Sequence, residues 1–206
     1  MKRAFGSCLG SLVSLVALVA AGAACGSSAE PIYYAMATVP GHDAKVAAPR
    51  VVEVRRPGIA GYLDRADIVG RVADYRLRTK LGERWGEPFG DMIGRVLAAD
   101  LSMRLPGTTV FREEAALTAD VDARVEVDVQ RFDAGDDGEL VLLAQVAVVR
   151  DKPQRVGATR SVTLRARPDG NGTSALVGAM SALLGQLADQ VAMMLRQDPA
   201  PVAREP

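Results

Sequence analysis

The stretch from Val121 to Gln130 constrains this chain more than any other. Val121, Ala123, Val125, Val127 and Val129 alternate without a break against Asp122, Arg124, Glu126, Asp128 and Gln130. Successive side chains on a strand point to opposite faces, so the run forms a strand with one buried and one wet face. Asp133 to Gly138, rich in Asp and Gly, reads as the turn that follows, with solvated carboxylates. Glu139 to Arg150 returns as a second strand, apolar enough to lie centrally, and Val156 to Arg165 adds a third. Upstream, Ile32 to Val39 and Val51 to Arg55 read as shorter strands. Tyr75 to Lys80 sets Tyr75, Leu77 and Thr79 against Arg76, Arg78 and Lys80, the period of a half-buried strand.

The apolar sheet face needs a cover, and two segments at helical spacing supply it. Trp85, Phe89, Met92, Ile93, Val96, Leu97 and Leu101 line one side of a helix from Trp85 to Leu105, with Pro88 in its first turn and Pro106-Gly107 ending it. Gly90 and Gly94 stand four apart. Glycine weakens a helix interior by up to about 1 kcal/mol relative to Ala, so the pair predicts close packing against backbone. After the turn Asp169-Gly170-Asn171-Gly172, the helix stripe is Leu176, Met180, Leu183, Leu187, Val191 and Leu195, with Thr173 or Ser174 as its cap. The expected fold class is α/β in the α+β sense: a single mixed, largely antiparallel sheet with two long helices packed on it.

The N-terminus has the layout of a secretory signal. Lys2 and Arg3 carry its charge, Leu9 to Ala21 its apolar core, and Gly22, Ala23 and Ala24 precede Cys25. A transmembrane helix needs about 20 consecutive apolar residues, and this run is shorter and diluted by Gly10, Ser11 and Ser14. Small residues followed by Cys form the site that lipoprotein processing reads, so residues 1–24 are expected to be removed and Cys25 acylated. The competing reading is ordinary cleavage with a stray thiol. Cys8 would be lost with the signal, leaving Cys25 no partner for a disulfide. Residues 25–30 read as a lipidated tether, 31–197 as one domain and 198–206, with three prolines, as a disordered tail. Gly26 stands where an Asp would retain a lipoprotein at the inner membrane, which favours the outer membrane. Stable anchoring requires more than one acyl chain, which a mature lipoprotein carries.

Removing Lys2 and Arg3 from the 25 basic residues leaves two fewer than the 25 acidic ones. Nothing in that balance suggests a nucleic-acid partner, which usually faces a clustered basic surplus. Catalytic and cofactor groups are equally scarce. His42 is the only histidine and sits in the loop Pro40-Gly41-His42-Asp43; no Gly-x-Ser-x-Gly elbow accompanies it. Too few His and Cys exist for a zinc site. Asp133, Asp136 and Asp137 lack calcium-loop spacing. Asp169-Gly170-Asn171-Gly172 lacks the ending of a phosphate loop, and Arg112-Glu113-Glu114 reads as solvated. No metal, no cofactor and no enzymatic activity are expected.

One segment resists so bland an account. Pro57 to Arg71 combines turn formers, Tyr62, Leu63, the pair Asp64-Arg65, and Ile68-Val69 within one loop. Packing on a sheet edge, with Asp64 capping a helical turn, and contact with a partner weigh about equally for it. Tyr and Arg concentrate binding energy at interfaces, and Tyr62, Leu63, Asp64 and Arg65 are the candidate partner-binding residues.

The run Gly61-Tyr62-Leu63-Asp64-Arg65, then Ile68-Val69 and Arg71, then Arg84-Trp85-Gly86-Glu87-Pro88-Phe89, and finally Leu101-Ser102-Met103-Arg104-Leu105, resembles the ABC-type transport auxiliary lipoprotein family. Ile32-Tyr33-Tyr34 matches that family's Tyr-containing first strand, and the resemblance covers residues 30 to 197. Ala66-Asp67 stands where Pro-Gln is usual, and Phe89 replaces Leu. The resemblance implies a non-enzymatic role beside a periplasmic lipid-carrying protein of the mammalian-cell-entry (MCE) type and its inner-membrane component. The lipoprotein would form the outer-membrane end of that bridge, with self-association into a homo-oligomeric ring as a further implication. A structural or assembly lipoprotein of the envelope, without a transport partner, is the alternative.

Overall fold

Strand β7 (Ala123–Ala134) is the axis of the structure, a computed structural model that describes residues 30–41, 48–113, 119–151 and 154–197. Cys25, His42, Glu114, the signal, the tether up to Ala29 and the tail from Asp198 lie outside the described residues. The remaining elements in chain order are β1 (Ile32–Tyr34), β2 (Val51–Val54), β3 (Gly58–Ile59), β4 (Asp67–Ala73), β5 (Arg76–Trp85), α1 (Phe89–Arg104), β6 (Thr109–Arg112), β8 (Leu140–Asp151), β9 (Gln154–Ala166) and α2 (Thr173–Arg196).

The alternation read in the sequence sets the main sheet. Ala123, Val125, Val127 and Val129 are buried while Glu126 and Asp128 are exposed. β7 pairs antiparallel with β8 and β8 with β9, so three consecutive strands form a meander. The other edge of β7 takes parallel partners: β2, from Val52 opposite Ala123, and beyond it β3, with Gly58 opposite Asp128. β6 completes the six-stranded sheet by pairing parallel with β2. α1 and α2 pack together and against the buried face. Every member of the core cluster lies between Met36 and Leu195, and the chain from Pro31 onward clusters as one compact unit, so this domain carries its core within itself. α2 is long and apolar enough to cross a membrane by composition, but Leu183, Leu184, Leu187, Val191 and Leu195 are spent on the core.

The α+β class and both helices are as expected, and the glycine pair faces Pro57, but the tight approach is at Gly94 alone and is to the proline ring rather than to backbone. A Cβ on Gly90 would lie 3.6 Å from the Pro57 carbonyl oxygen, and one on Gly94 3.0 Å from Pro57 Cδ. The single sheet is not observed. β1, β5 and β4 form a separate three-stranded sheet, β1 parallel to β5 and β4 antiparallel to it. The expected half-buried strand is part of this sheet, but Tyr75 is 97% exposed and Leu77 42%. The end of the β4–β5 hairpin projects where nothing covers its alternating faces. Pairing passes from Val69–Thr79 to Asp67–Arg84, so Lys80 to Glu83 bulge out opposite Ile68 alone. Gly82 takes φ +76° within the bulge, a conformation open to residues without a Cβ.

Smaller corrections share a cause in turn chemistry. Trp85 ends β5 rather than opening α1, and Pro88 stands just before the helix, where its missing N–H costs nothing. Neither Thr173 nor Ser174 caps α2; Gly172 precedes it, and the Thr173 hydroxyl donates to Glu83 while accepting from Lys80 Nζ at 2.6 Å. Pro57 to Arg71 is not one loop, since it contains β3 and most of β4. β6 has no counterpart in the sequence reading, whereas the turn at Asp169 to Gly172 does, with φ +112° and +96° at its two glycines.

Candidate functional site

β3 is held to β7 by the Ala60 amide, which donates to the Val129 carbonyl at 2.9 Å, and the chain then turns at once. The Leu63 amide donates to Ala60 O at 2.8 Å, and the Arg65 amide to Leu63 O at 2.9 Å. This tight double turn divides the four candidate residues. Tyr62 is half-buried and Leu63 enters the core, whereas Asp64 and Arg65 are exposed. The side chains of Asp64 and Arg65 make no hydrogen bond or ion pair with the described residues.

Tyr62 faces Asp133. Its hydroxyl donates to Asp133 Oδ2 at 2.5 Å, and Arg131 Nε donates to Asp133 Oδ1 at 2.9 Å. Arg71 Nη2 donates to Oδ2 at 3.4 Å, and the Arg71 guanidinium lies 5.8 Å from the Tyr62 ring centroid, at the outer limit of a cation–π contact. Asp133 is therefore a wholly buried acceptor, not a solvated turn residue. A register shift between Val129 and Arg131 explains it. One extra residue moves Phe132 to the core face and Asp133 to the other, where Tyr62 and the two arginines cover it. Burial and the Asp133 carboxylate together push the Tyr62 hydroxyl up to about 12, because both oppose a second negative charge. Desolvation pulls the Arg71 guanidinium down, but the charge and hydrogen bond of Asp133 outweigh it and leave its pKa raised. The sequence signal for this network was the change of parity between Val129 and Phe132.

Asp64 and Arg65 meet the second half of the motif. The Trp85 amide donates to Ala66 O at 2.7 Å, fastening the end of β5 to the loop. Trp85 and Phe89 stack with centroids 4.9 Å apart and planes 24° apart, and Phe89 leans on Phe132 at 5.9 Å. Asp64, Arg65 and Ala66 form one wall and Trp85, Glu87 and Pro88 the other wall of a cleft of about 370 Å³ above that stack. Glu87 is held by Arg95 at 2.5 Å. The cleft thus offers an aromatic floor and a rim of free charge, a means of gripping another surface.

The third motif segment is internal. Arg104, at the end of α1, is 2% exposed. Its Nε donates to Asp189 Oδ1 at 2.6 Å, and its Nη1 to Val39 O at 2.9 Å and Asp100 O at 3.1 Å. Asp100 accepts from the Val39 amide at 2.8 Å. Its carboxyl is pushed above the usual range by burial, against the opposing pull of the Val39 amide and Arg104. This network clips the segment after β1 over the two helices. Arg104 is a second feature the sequence reading did not single out beyond its motif.

The other sequence candidates scatter. Glu113 pairs with Arg55 at 3.1 Å, and Asp137 accepts from the Glu139 amide in the β7–β8 turn. Among the described residues, no group of three His, Cys, Asp or Glu side chains is placed to hold a metal ion.

Comparison with known proteins agrees on the fold. A crystal structure of an uncharacterized protein superposes with a TM-score of 0.66 at 19% identity, covering 80% of this chain and 97% of that one. Protein XCC0632 from Xanthomonas campestris does so with a TM-score of 0.66 at 20% identity, covering 80% and 94%. A point variant of the PelC dodecamer from Paraburkholderia phytofirmans is too distant to bear on the fold, with a TM-score of 0.45 at 12% identity over 76% of this chain and 96% of that one. No curated protein matches the sequence. The family model for the ABC-type transport auxiliary lipoprotein component matches residues 34–192, about three quarters of the chain, taking in all three motif segments, and the chain belongs to that family.

Proposed function

We propose that this protein is an outer-membrane lipoprotein subunit of an MCE-type intermembrane lipid transport system. It is anchored through acylated Cys25 and acts by protein contact rather than catalysis. The observation that carries the reading is the cleft between Asp64-Arg65 and Trp85-Glu87-Pro88. Two separated stretches of the family motif converge there, and they leave two unpaired charges in solvent over a buried aromatic stack. An auxiliary component of a transporter requires a docking surface, and an aromatic pocket rimmed by Arg is a composition that concentrates interface energy. The family is that of an auxiliary component and not of an enzyme.

Purification of the tagged protein from native membranes tests the proposal. An MCE-type protein should co-purify, and Asp64→Lys with Arg65→Glu should abolish its recovery while the domain melts as before. Recovery with only peptidoglycan or outer-membrane assembly proteins would favour a structural lipoprotein instead. Mass spectrometry of the mature N-terminus should find acylated Cys25, and Cys25→Ser should weaken the protein's association with membranes.

A further inference from the structure

The end of the β4–β5 hairpin, from Asp74 to Leu81, supplies no residue to the core cluster and none to the lining of the cleft. Tyr75 is 97% exposed at its tip, Leu77 is 42% exposed, and Leu81 is fully exposed on the bulge. Burying three large apolar side chains would have stabilised the domain, yet all three are in water. Arg76 and Arg78 alternate with them, and neither makes an ion pair or hydrogen bond with the described residues. From Asp74 to Leu81 the hairpin holds one acid against Arg76, Arg78 and Lys80. Lys80 is engaged with Thr173 and Glu83.

The direction of β1 bears on what this arm meets. β1 runs parallel to β5, with Ile32 opposite Glu83 and Tyr34 opposite Trp85. The N-terminal end of β1 therefore points toward the hairpin tip. Ile32 and Tyr33 add 57% and 62% exposed apolar side chains beside the bulge. From Glu83 back to Arg76 is seven residues, at most about 23 Å, since the bulge at Lys80 to Glu83 takes up part of their length. From Ile32 back to Cys25 is also seven residues, which reach at most about 25 Å. An anchor at Cys25 can therefore reach the level of the tip without the domain turning over.

We propose that the β4–β5 hairpin and β1 form a membrane-contact surface that seats the domain on the anionic phospholipid bilayer holding its anchor. Tyr75, Leu77 and Leu81 enter the headgroup region, and Arg76 and Arg78 bind lipid phosphates. Tyrosine suits the membrane interface because its ring is apolar and its hydroxyl wet. Arginine presents its donors to phosphate oxygens in a planar fork. The proposal rests on the lipid-anchor reading above, but it is tested apart from it.

The chain starting at Gly26 contains the whole described domain and no acylation site. It should co-sediment with vesicles of phosphatidylethanolamine and phosphatidylglycerol, less so at raised salt, and not with phosphatidylcholine alone. A basic residue at an anionic surface is worth about fivefold in partitioning, so Arg76→Glu with Arg78→Glu should weaken binding at least about 25-fold. Tyr75→Ser with Leu81→Ser should weaken it while leaving the salt dependence of what remains. Unchanged melting curves keep both variants interpretable, since all four side chains are exposed. Equal binding by the charge-reversed variant, or no binding by the parent chain, overturns the proposal. So does a dimer in sedimentation velocity that the same substitutions dissolve, which would assign the surface to a second copy. Acylated Cys25 by mass spectrometry without vesicle binding removes the surface and leaves the anchor. Vesicle binding with an unmodified Cys25 supports the surface and removes the anchor.

Discussion

Replacing Tyr62 by Phe deletes one hydroxyl from the double turn and leaves the ring and its packing. The lost bond is a 2.5 Å charge-assisted contact to a buried carboxylate, of a class worth about 1.5–3 kcal/mol. Asp133 keeps Arg131 at 2.9 Å, while Arg71 at 3.4 Å is a poor substitute at Oδ2. Both arginines are partly solvated, so water can relieve the deficit. The expected cost is therefore in the lower half of that range, about 1.5–2 kcal/mol, or about 3–8 °C in Tm for a domain of this size. Urea and thermal melts followed by circular dichroism measure both. Arg65→Glu, three residues on and exposed, should stay within about 0.5 kcal/mol of the parent while losing partner recovery. A cycle pairing Tyr62→Phe with Asp133→Asn should show coupling above about 0.5 kcal/mol. If Tyr62→Phe melts with the parent protein, the assignment of Tyr62 to packing and Arg65 to contact is wrong.

Three further outcomes follow from the geometry. Gly90→Ala should be neutral or stabilising by up to about 1 kcal/mol through helix propensity. Gly94→Ala should be destabilising, because its Cβ would stand 3.0 Å from the Pro57 ring, and its denaturant midpoint should fall below both the parent's and that of Gly90→Ala. Gly41→Ala should destabilise strongly, since the new Cβ would fall 2.4 Å from the buried Arg104 guanidinium; a midpoint like the parent's would refute the clip described for that segment. Asp100 has a folded pKa raised above its reference value of 3.8. The folded state therefore binds the extra proton between the two values, and this residue's contribution to stability falls as pH rises from 3.8 through the folded pKa. The stability of the parent relative to Asp100→Asn, from urea melts across acidic pH, should decline over that window, and a difference rising with pH would contradict the burial argument.

The elements legible in the sequence were those whose pattern is enforced by cover on one side. Val121 to Val129 kept its period because the helices lie along one face of β7, and the glycine pair in α1 announced the approach of Pro57. Tyr75 to Lys80 shows the same period with no cover at all, since alternation records a strand but not what stands over it. The first half of β5 was legible as a strand whereas most of β4 was read as loop, and nothing local states that the two leave the main sheet. Asp133 lay beyond a one-residue shift, where a period-two reading loses phase. Of the candidate site, the loop and its partner segment from Arg84 to Phe89 were visible as motif. The inward turn of Tyr62 and Leu63 was not, because it depends on an acceptor 71 residues away.

The parallel pairing of β2 with β7 has a consequence for how the molecule assembles in time. Val52 finds Ala123 only 71 positions further along the chain, whereas β7, β8 and β9 close through consecutive hairpins. Contacts near in sequence form before those that must close a long loop. The meander with α2 is thus the natural nucleus, and β2, although Val52 and Val54 end wholly or almost wholly buried, is a late arrival. Val127→Ala should accordingly slow refolding, while Val52→Ala should chiefly hasten unfolding; the reverse partition in stopped-flow kinetics would deny the meander that role. A chain synthesised from its N-terminus therefore holds β2 without its central partner until the seventh strand is made, with only β6 available to it before then. For that interval its protection against aggregation comes from outside the sequence.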